Sequence, residues 1–239
     1  MALIEVRNIE KVYGEGDATT RALRGVSFDI AEGEFIAIMG PSGSGKSTLL
    51  HILGLLDRPT TGSYRFGGKN IDTYSEDELA QFRNERVGFV FQQFNLLART
   101  TVYENVRLPL IYSDVPERAW DALVRSAIER VGLMHRAKHS TAQLSGGEQQ
   151  RTAIARALVR SPKVIFADEP TGNLDSKSGR LIMETIEDLY EQGGQTVILI
   201  THEHTTAAHA HRILHLKDGA LDSDEQVANP QHARDGYIK

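Results

Sequence analysis

"FIAIMGPSGSGKSTLL", Phe35 to Leu50, is the stretch on which the fold turns. Its first five residues are apolar with no alternation, which reads as a strand buried on both faces. The run stops at Gly40, and "KSTLLHILGLL" from Lys46 reads as a helix. Between them "GPSGSGKS", Gly40 to Ser47, fits G-x-x-x-x-G-K-[ST] in the strand-before, helix-after setting that gives the motif its meaning. Gly43 and Gly45 let the backbone curl so that several N–H groups point at phosphate oxygens, and the helix start adds its positive dipole end. Lys46 brings a mobile charge to the outer phosphates, and Ser47 places a hydroxyl where Mg²⁺ is expected. The expected cradle is therefore Gly40, Pro41, Ser42, Gly43, Ser44, Gly45, Lys46, Ser47 and Thr48. No Asn-Lys-x-Asp string for guanine is present, so ATP is the expected nucleotide.

Downstream, "VIFADEP", Val164 to Pro170, ends a second buried strand in two acids. Ligands meet open parallel sheets at such strand ends. Asp168 is expected to hold Mg²⁺ through its water shell. Glu169, pointing elsewhere along an extended chain, is expected to be the base for an attacking water. Upstream of that pair, "LSGGEQQR", Leu144 to Arg151, is another glycine turn feeding a helix. Gly146 and Gly147 free the backbone, Ser145 offers a hydroxyl, and Ser145 with Glu148 forms a capping-box pattern. One nucleotide needs one cradle. If both turns grip the same triphosphate, the simplest geometry is a two-fold dimer, each copy closing over the Lys46 site of the other.

Around these motifs, "LIEVRNIEKVYG" and "RALRGVSFDI" alternate as strands, joined by the loop "GEGDATT", and "TTGSYRFGGKN" reads as a hairpin. "SEDELAQFRNER" opens with Ser75 and Glu78 as a capped helix, and "VGFVFQ" returns to strand. Residues 95–160 are mostly helical, with Trp120, Leu123, Ala127 and Ile128 on one side of the clearest helix. "TVILIT" and "RILHLKDG" supply further strands, and the polar tail from Leu221 is expected to be loosely held. The expected class is α/β: a parallel sheet, an N-terminal antiparallel β layer and an inserted helical subdomain. The chain has 239 residues, 40% hydrophobic, with net charge −5 and no cysteine. These values imply one large domain or two small ones, give no reason to expect a nucleic-acid partner, and exclude a disulfide framework or thiolate metal site. The N-terminus lacks the apolar core of a signal peptide, and no apolar run approaches the roughly 20 residues of a spanning helix.

"LSGGEQQR" between the lysine loop and "VIFADEP" resembles the signature of ATP-binding-cassette (ABC) ATPases, a likeness that runs to about residue 219. "AIMGPSGSGKSTLL", "GFVFQQFNLL", "ENVRLPLIY", "DEPTGNLDSKSG" and the loop "GEGDATTRALRGVSF" are similar to the lipoprotein-releasing and macrolide-export group of that family. Thr152 replaces the commoner valine, and "FNLLARTT" lacks the usual proline; neither position meets a phosphate. The resemblance implies a P-loop ABC core at 1–94 and 159–219, a helical signature subdomain at 95–158 and a tail at 220–239, all in one domain spanning 1–239. It implies that Tyr13 stacks on adenine, Gln92 (with Gln93 as rival) reaches Mg²⁺ and the attacking water, Asp175 lies near the dimer seam, and His202 contacts the terminal phosphate. The nucleotide set then includes Ser145, Gly146, Gly147 and Glu148; the metal set is Ser47, Gln92 and Asp168; and the catalytic set is Glu169, His202, Gln92 and Lys46.

The activity so implied is transport-coupled ATP hydrolysis by a head-to-tail homodimer. It acts on transmembrane permease subunits of a separate chain, at the cytoplasmic face of the inner membrane. A non-exporting mechanotransmission or cell-division complex is the alternative. A soluble repair or translation ATPase fits less well, since neither a long coiled coil nor a second cassette is present. Five histidines in "HEHTTAAHAHRILH" raise a zinc reading, with His204 and His211 on a shared helix face, but no cysteine supports it.

Overall fold

A computed structural model describes residues 2–14 and 18–236. Residues 15–17 of the expected loop and the last three residues of the tail lie outside the described residues. In chain order the first elements are β1 (Ala2–Tyr13), β2 (Thr20–Ala31), β3 (Phe35–Met39), α1 (Lys46–Leu53), β4 (Thr61–Phe66), β5 (Lys69–Asn70), α2 (Glu76–Arg86) and β6 (Val87–Val90). Then come α3 (Val102–Ile111), α4 (Trp120–Arg130), α5 (Gly146–Leu158), β7 (Val164–Asp168) and α6 (Ser176–Glu191). The chain closes with β8 (Thr196–Thr201), α7 (His204–Ala207), β9 (Arg212–Lys217), β10 (Ala220–Gln226) and α8 (Ala233–Gly236). Two compact units divide these elements: residues 1–80 with 196–231, and residues 81–195 with 232–239.

The first unit holds two sheets. Its antiparallel sheet runs β2–β1–β4–β5. Along β1 the buried positions Ile4 and Val6 are followed by Ile9 rather than residue 8, because a register shift between Val6 and Ile9 resets the inward face. Asn8, at φ 49, sits in that irregularity, and its N–H donates to Ser27 Oγ at 2.7 Å. In the other sheet β3 lies between β8 and β9 and is parallel to both. Every residue of β3 and β8 is buried, which accounts for two apolar runs without alternation. The expectation of a parallel sheet and an N-terminal antiparallel layer holds. The added detail is β10, which pairs antiparallel with β9, so Ala220–Gln226 is a strand rather than part of a loosely held tail. It is anchored by Arg212, whose guanidinium donates to Asp224 at 2.6 and 2.7 Å and to Glu34 at 2.9 Å.

In the second unit β6 and β7 pair in parallel, with Val90 opposite Ala167. Helix α3 starts on a full capping box between Thr101 and Glu104, and α5 on another between Ser145 and Glu148. Asp175 caps α6 by accepting from Ser178 N at 2.9 Å. Helix α4 buries Val124, Ala127 and Ile128, with Leu123 and Trp120 half-buried beside them; the Trp120 ring N–H donates to Val115 O at 2.8 Å. The last segment docks on α6: the Ala233 N–H donates to both carboxylate oxygens of buried Glu187, at 3.0 and 3.2 Å. Residues 95–101 precede α3 without helix; the Leu97 N–H donates to Asn105 Oδ1 of α3 at 2.8 Å, and Arg156 of α5 donates to the Asn95 carbonyl.

Candidate functional site

The lysine loop is built as its glycines require. A Cβ on Gly40 would overlap the Leu216 carbonyl oxygen, and one on Gly45 would lie 2.6 Å from the Ala22 carbonyl oxygen with φ at +102. Gly45 is the N-cap of α1 and offers no capping side chain, so the first N–H groups of that helix have no side chain of the cap to satisfy them. The loop is tied down by Ser44 N donating to Pro41 O at 3.2 Å and by Gly219 N donating to Ser44 O at 3.0 Å. Lys46 Nζ donates to Gly40 O at 2.7 Å and Pro41 O at 2.9 Å, so the ammonium bridges the entry of the loop. Met39 pairs with Thr201 across the parallel strands, so Gly40 and His202 leave the same end of the sheet one residue later. This brings together the loop and the exposed histidine, residues far apart in sequence.

Tyr13 ends β1 beside the same helix. It shares a hydrogen bond with Thr48, its hydroxyl donates to Asp57 at 2.8 Å, and Lys11 Nζ sits 4.9 Å from its ring centroid. Burial, then the bond to Asp57, raises the phenol above its ordinary value, so it stays neutral. The ring remains 40% exposed, leaving an aromatic surface for a flat partner. At Asp57 burial pushes upward, but hydrogen bonds from Lys11, Tyr13 and the Arg58 N–H outweigh it and hold the carboxyl below the usual range.

The second unit assembles the other group. Because Val90 faces Ala167, Gln92 and the acid pair leave neighbouring strand ends. The Gln92 side-chain amide lies over Gly172, where a Cβ would sit 2.5 Å from Nε2, and Asn173 Nδ2 donates to Gln92 O at 2.9 Å. Asp168 is the last residue of β7. Glu169 is not on an extended chain, as the strand pattern implied. It stands at φ 44, a left-handed conformation that is uncommon outside glycine, and Gly172 N donates to its carbonyl at 3.0 Å. The two acids therefore part by a backbone turn, not by strand alternation.

The Ser145 turn caps α5 in both directions: Glu148 N donates to Ser145 Oγ at 3.3 Å, and Ser145 N donates to Glu148 Oε2 at 2.9 Å. Arg136 Nε donates to Glu148 Oε1 at 3.0 Å. The Ser145 N–H first, with Ser145 Oγ and Arg136, holds Glu148 below its ordinary value against the effect of burial. Gly147 lies against Ser178, where a Cβ would come within 3.1 Å of the side chain. The turn and the Asp175 cap of α6 are thus neighbours, with Asp175 fixed by Ser178 N at 2.9 Å and Ser178 Oγ at 2.8 Å.

Sequence reasoning missed Gln150 and Arg156. Gln150 is fully buried and donates from Nε2 to Pro170 O at 2.8 Å and Phe91 O at 3.3 Å. Arg156 donates to Asn95 O at 2.5 Å and Phe94 O at 3.0 Å, two residues at φ 49 and 60. A glutamine on the buried side of an otherwise apolar helix face was the one available signal.

The residues present fit a magnesium nucleotide. Ser44 Oγ is buried and has no hydrogen-bond partner within the curled loop, an orphan donor beside the expected phosphate position. Hydroxyl, amide and carboxylate oxygens from Ser47, Gln92 and Asp168 are donors of the hard type Mg²⁺ takes. Among the described residues no group of three or more His, Cys, Asp or Glu could hold a metal ion. The histidine segment also departs from expectation: α7 ends at Ala207, so His204 and His211 do not share a helix face. His211 instead places its N–H on Phe35 O at 2.9 Å and its ring beside that of Phe35.

Comparison with known proteins identifies the family. The family model described as "ABC transporter" matches residues 23–172. The chain is 54% identical over 233 residues to the macrolide export ATP-binding/permease protein MacB of Chlorobium phaeobacteroides, covering 97% of this chain and 35% of the relative. It is 48% identical over 223 residues to the lipoprotein-releasing system ATP-binding protein LolD of Geobacter metallireducens, covering 93% and 99%. The chain thus spans 33% to 36% of four macrolide-export relatives and nearly all of the lipoprotein-releasing one. A dimeric post-hydrolysis state of the ATP-binding cassette MJ0796 bound to ADP and Pi aligns with a TM-score of 0.85 at 42% identity, covering 95% of this chain and 99% of that one.

Proposed function

The chain belongs to the ABC transporter family of ATP-binding proteins, and from that premise we propose that it binds and hydrolyses ATP to drive a bacterial membrane transporter. Two copies close head-to-tail over two nucleotides, and the closure moves a permease. Its expected address is the cytoplasmic face of the inner membrane, held there by that permease. Among the described residues no helix is long and apolar enough to cross a membrane itself.

The roles follow from chemistry. Backbone N–H groups from Gly40 to Thr48 and the Lys46 ammonium hold the phosphates, and Tyr13 covers the base. Ser47, Asp168 and Gln92 would hold Mg²⁺, which would supply neutralising charge to the phosphate oxygens. Glu169 takes a proton as a water oxygen bonds to the terminal phosphorus, and the bond to the ADP oxygen breaks. His202 orients the terminal phosphate. The Ser145-Gly146-Gly147 turn, shaped by Glu148, faces the nucleotide of the second copy, and Asp175 lies at the seam. A helical signature subdomain at 95–158 goes with this reading, supported by α3, α4 and α5 all falling within it.

The observation that carries the proposal is the lysine loop, whose left-handed glycines open directly onto α1 at the end of an all-buried strand. The test is phosphate release from MgATP by the purified protein together with its membrane partner, with Glu169→Gln as the blank. Release no faster than the blank ends the reading.

A further inference from the structure

We propose that Gln150 is a positioning residue for hydrolysis: its side-chain amide fastens the Glu169–Pro170 turn and the strand end before Gln92 to the helix that carries the Ser145 turn. The proposal rests on the reading of Glu169 as the base.

Gln150 is 0% exposed, yet it is an amide in a place where methionine or leucine would fill the same space. Its Nε2 is used twice, on Pro170 O at 2.8 Å and on Phe91 O at 3.3 Å. Its Oε1 is buried with no partner, a cost that packing does not explain. Both acceptors are backbone carbonyls next to residues assigned to the chemistry: Pro170 follows Glu169, and Phe91 precedes Gln92.

The target of this grip is strained. Glu169 holds φ 44, a conformation that persists in a non-glycine residue only when its surroundings over-determine it. Two hydrogen bonds do so: Gly172 N on the Glu169 carbonyl, and Gln150 on the next carbonyl along the chain. The second comes from α5, a single helix that starts at the Ser145 cap. When that cap closes on the nucleotide of the second copy, the helix carries the shift to the backbone of Glu169. Hydrolysis is thereby tied to dimer closure through one side chain.

The test uses the intact protein with its membrane partner and reads kcat, KM for MgATP, and melting temperature. Gln150→Met keeps length and helix propensity but removes the amide. The expected result is a kcat about tenfold to a hundredfold lower with KM within about twofold, since misplacement of a reacting group acts on turnover and not on phosphate binding. Thr152→Val is the control. Thr152 is equally buried on the same helix, but its hydroxyl donates only to Glu148 O at 2.8 Å. It should keep kcat within about twofold. If Gln150→Met keeps wild-type turnover, raises KM as much as it lowers kcat, or loses no more than Thr152→Val, the proposal is overturned.

Should the methionine variant not fold, Gln150→Glu decides. Only a protonated carboxyl can donate to Pro170 O, and burial favours that form, so its activity relative to wild type should approach one as pH falls; a ratio that stays well below one at low pH rejects the role. Wild-type hydrolysis that Glu169→Gln fails to abolish indicts the base assignment instead, independently of Gln150.

Discussion

Glu169 sits one residue past β7 with its backbone turned left-handed, and Lys46 sits with its ammonium on two loop carbonyls. The backbone of the first and the ammonium of the second are both held by groups of the chain itself. We expect Glu169→Gln to lower kcat about 10²–10⁴-fold, the usual contribution of a general base, with MgATP affinity changed only a few-fold. Stopped-flow turnover beside equilibrium nucleotide titration separates the two quantities. Lys46→Ala should act the other way. Charge-assisted hydrogen bonds are worth about 1.5–3 kcal/mol, so affinity for MgATP should fall roughly tenfold to a hundredfold by calorimetry. Unchanged affinity would remove Lys46 from the phosphate site.

Helix α5 joins three duties within thirteen residues. Its N-cap carries the Ser145 turn proposed to face the second copy's nucleotide, Gln150 donates to the carbonyl of Pro170 next to Glu169, and Arg156 holds the two left-handed residues after Gln92. Burial holds the Arg156 guanidinium below its ordinary value, yet a guanidinium stays charged at any ordinary pH, so that grip is permanent. Removing the cap should be felt at the level of the element. Ser145→Ala is expected to cost about 1 kcal/mol of stability, a melting shift of roughly 2–4 °C for a chain of this size, together with loss of nucleotide-driven association. Scanning calorimetry reads the first effect and sedimentation the second. Gly147→Val should spare the cap yet push the turn away from Ser178, which a bare Cβ already approaches to 3.1 Å. Association is then lost with little change in the capping bonds.

For the molecule as a whole, the proposed function places a second copy over each nucleotide. Glu169→Gln with saturating MgATP should sediment as a dimer and return to monomer when nucleotide is removed; a strict monomer at high concentration, with or without the membrane partner, refutes the sandwich. Acid should loosen the fold in a predictable direction. Asp57, Glu148 and Asp224 are all held below their ordinary values, Asp224 chiefly by the Arg212 guanidinium. Each contributes stability that is present above the unfolded carboxyl value of about 4 and lost as pH falls through the lower folded value. The melting temperature should therefore be flat from pH ~8 to ~5 and decline below ~4, with Glu148→Gln declining less steeply.

What the sequence determined by itself is everything spelled by adjacent residues. The glycine loop and its helix, the Ser145 and Ser75 capping boxes, the acid pair and the buried strands are local, because φ freedom at glycine and capping by a side chain three residues away need no distant partner. The order of those motifs also sufficed to recognise the family. Only the tertiary structure decided which strand ends meet. "FIAIM" and "TVILIT" are apolar throughout, so no alternation marks a register, and packing on both faces sets Met39 against Thr201 and Gly40 beside His202. It likewise decided that Glu169 turns left-handed, that β10 extends the chain's last strand pair, and that Gln150 reaches Pro170. Those depend on groups brought close through space, and a hydrogen bond from a buried amide to a carbonyl twenty residues away leaves no periodic trace in the chain.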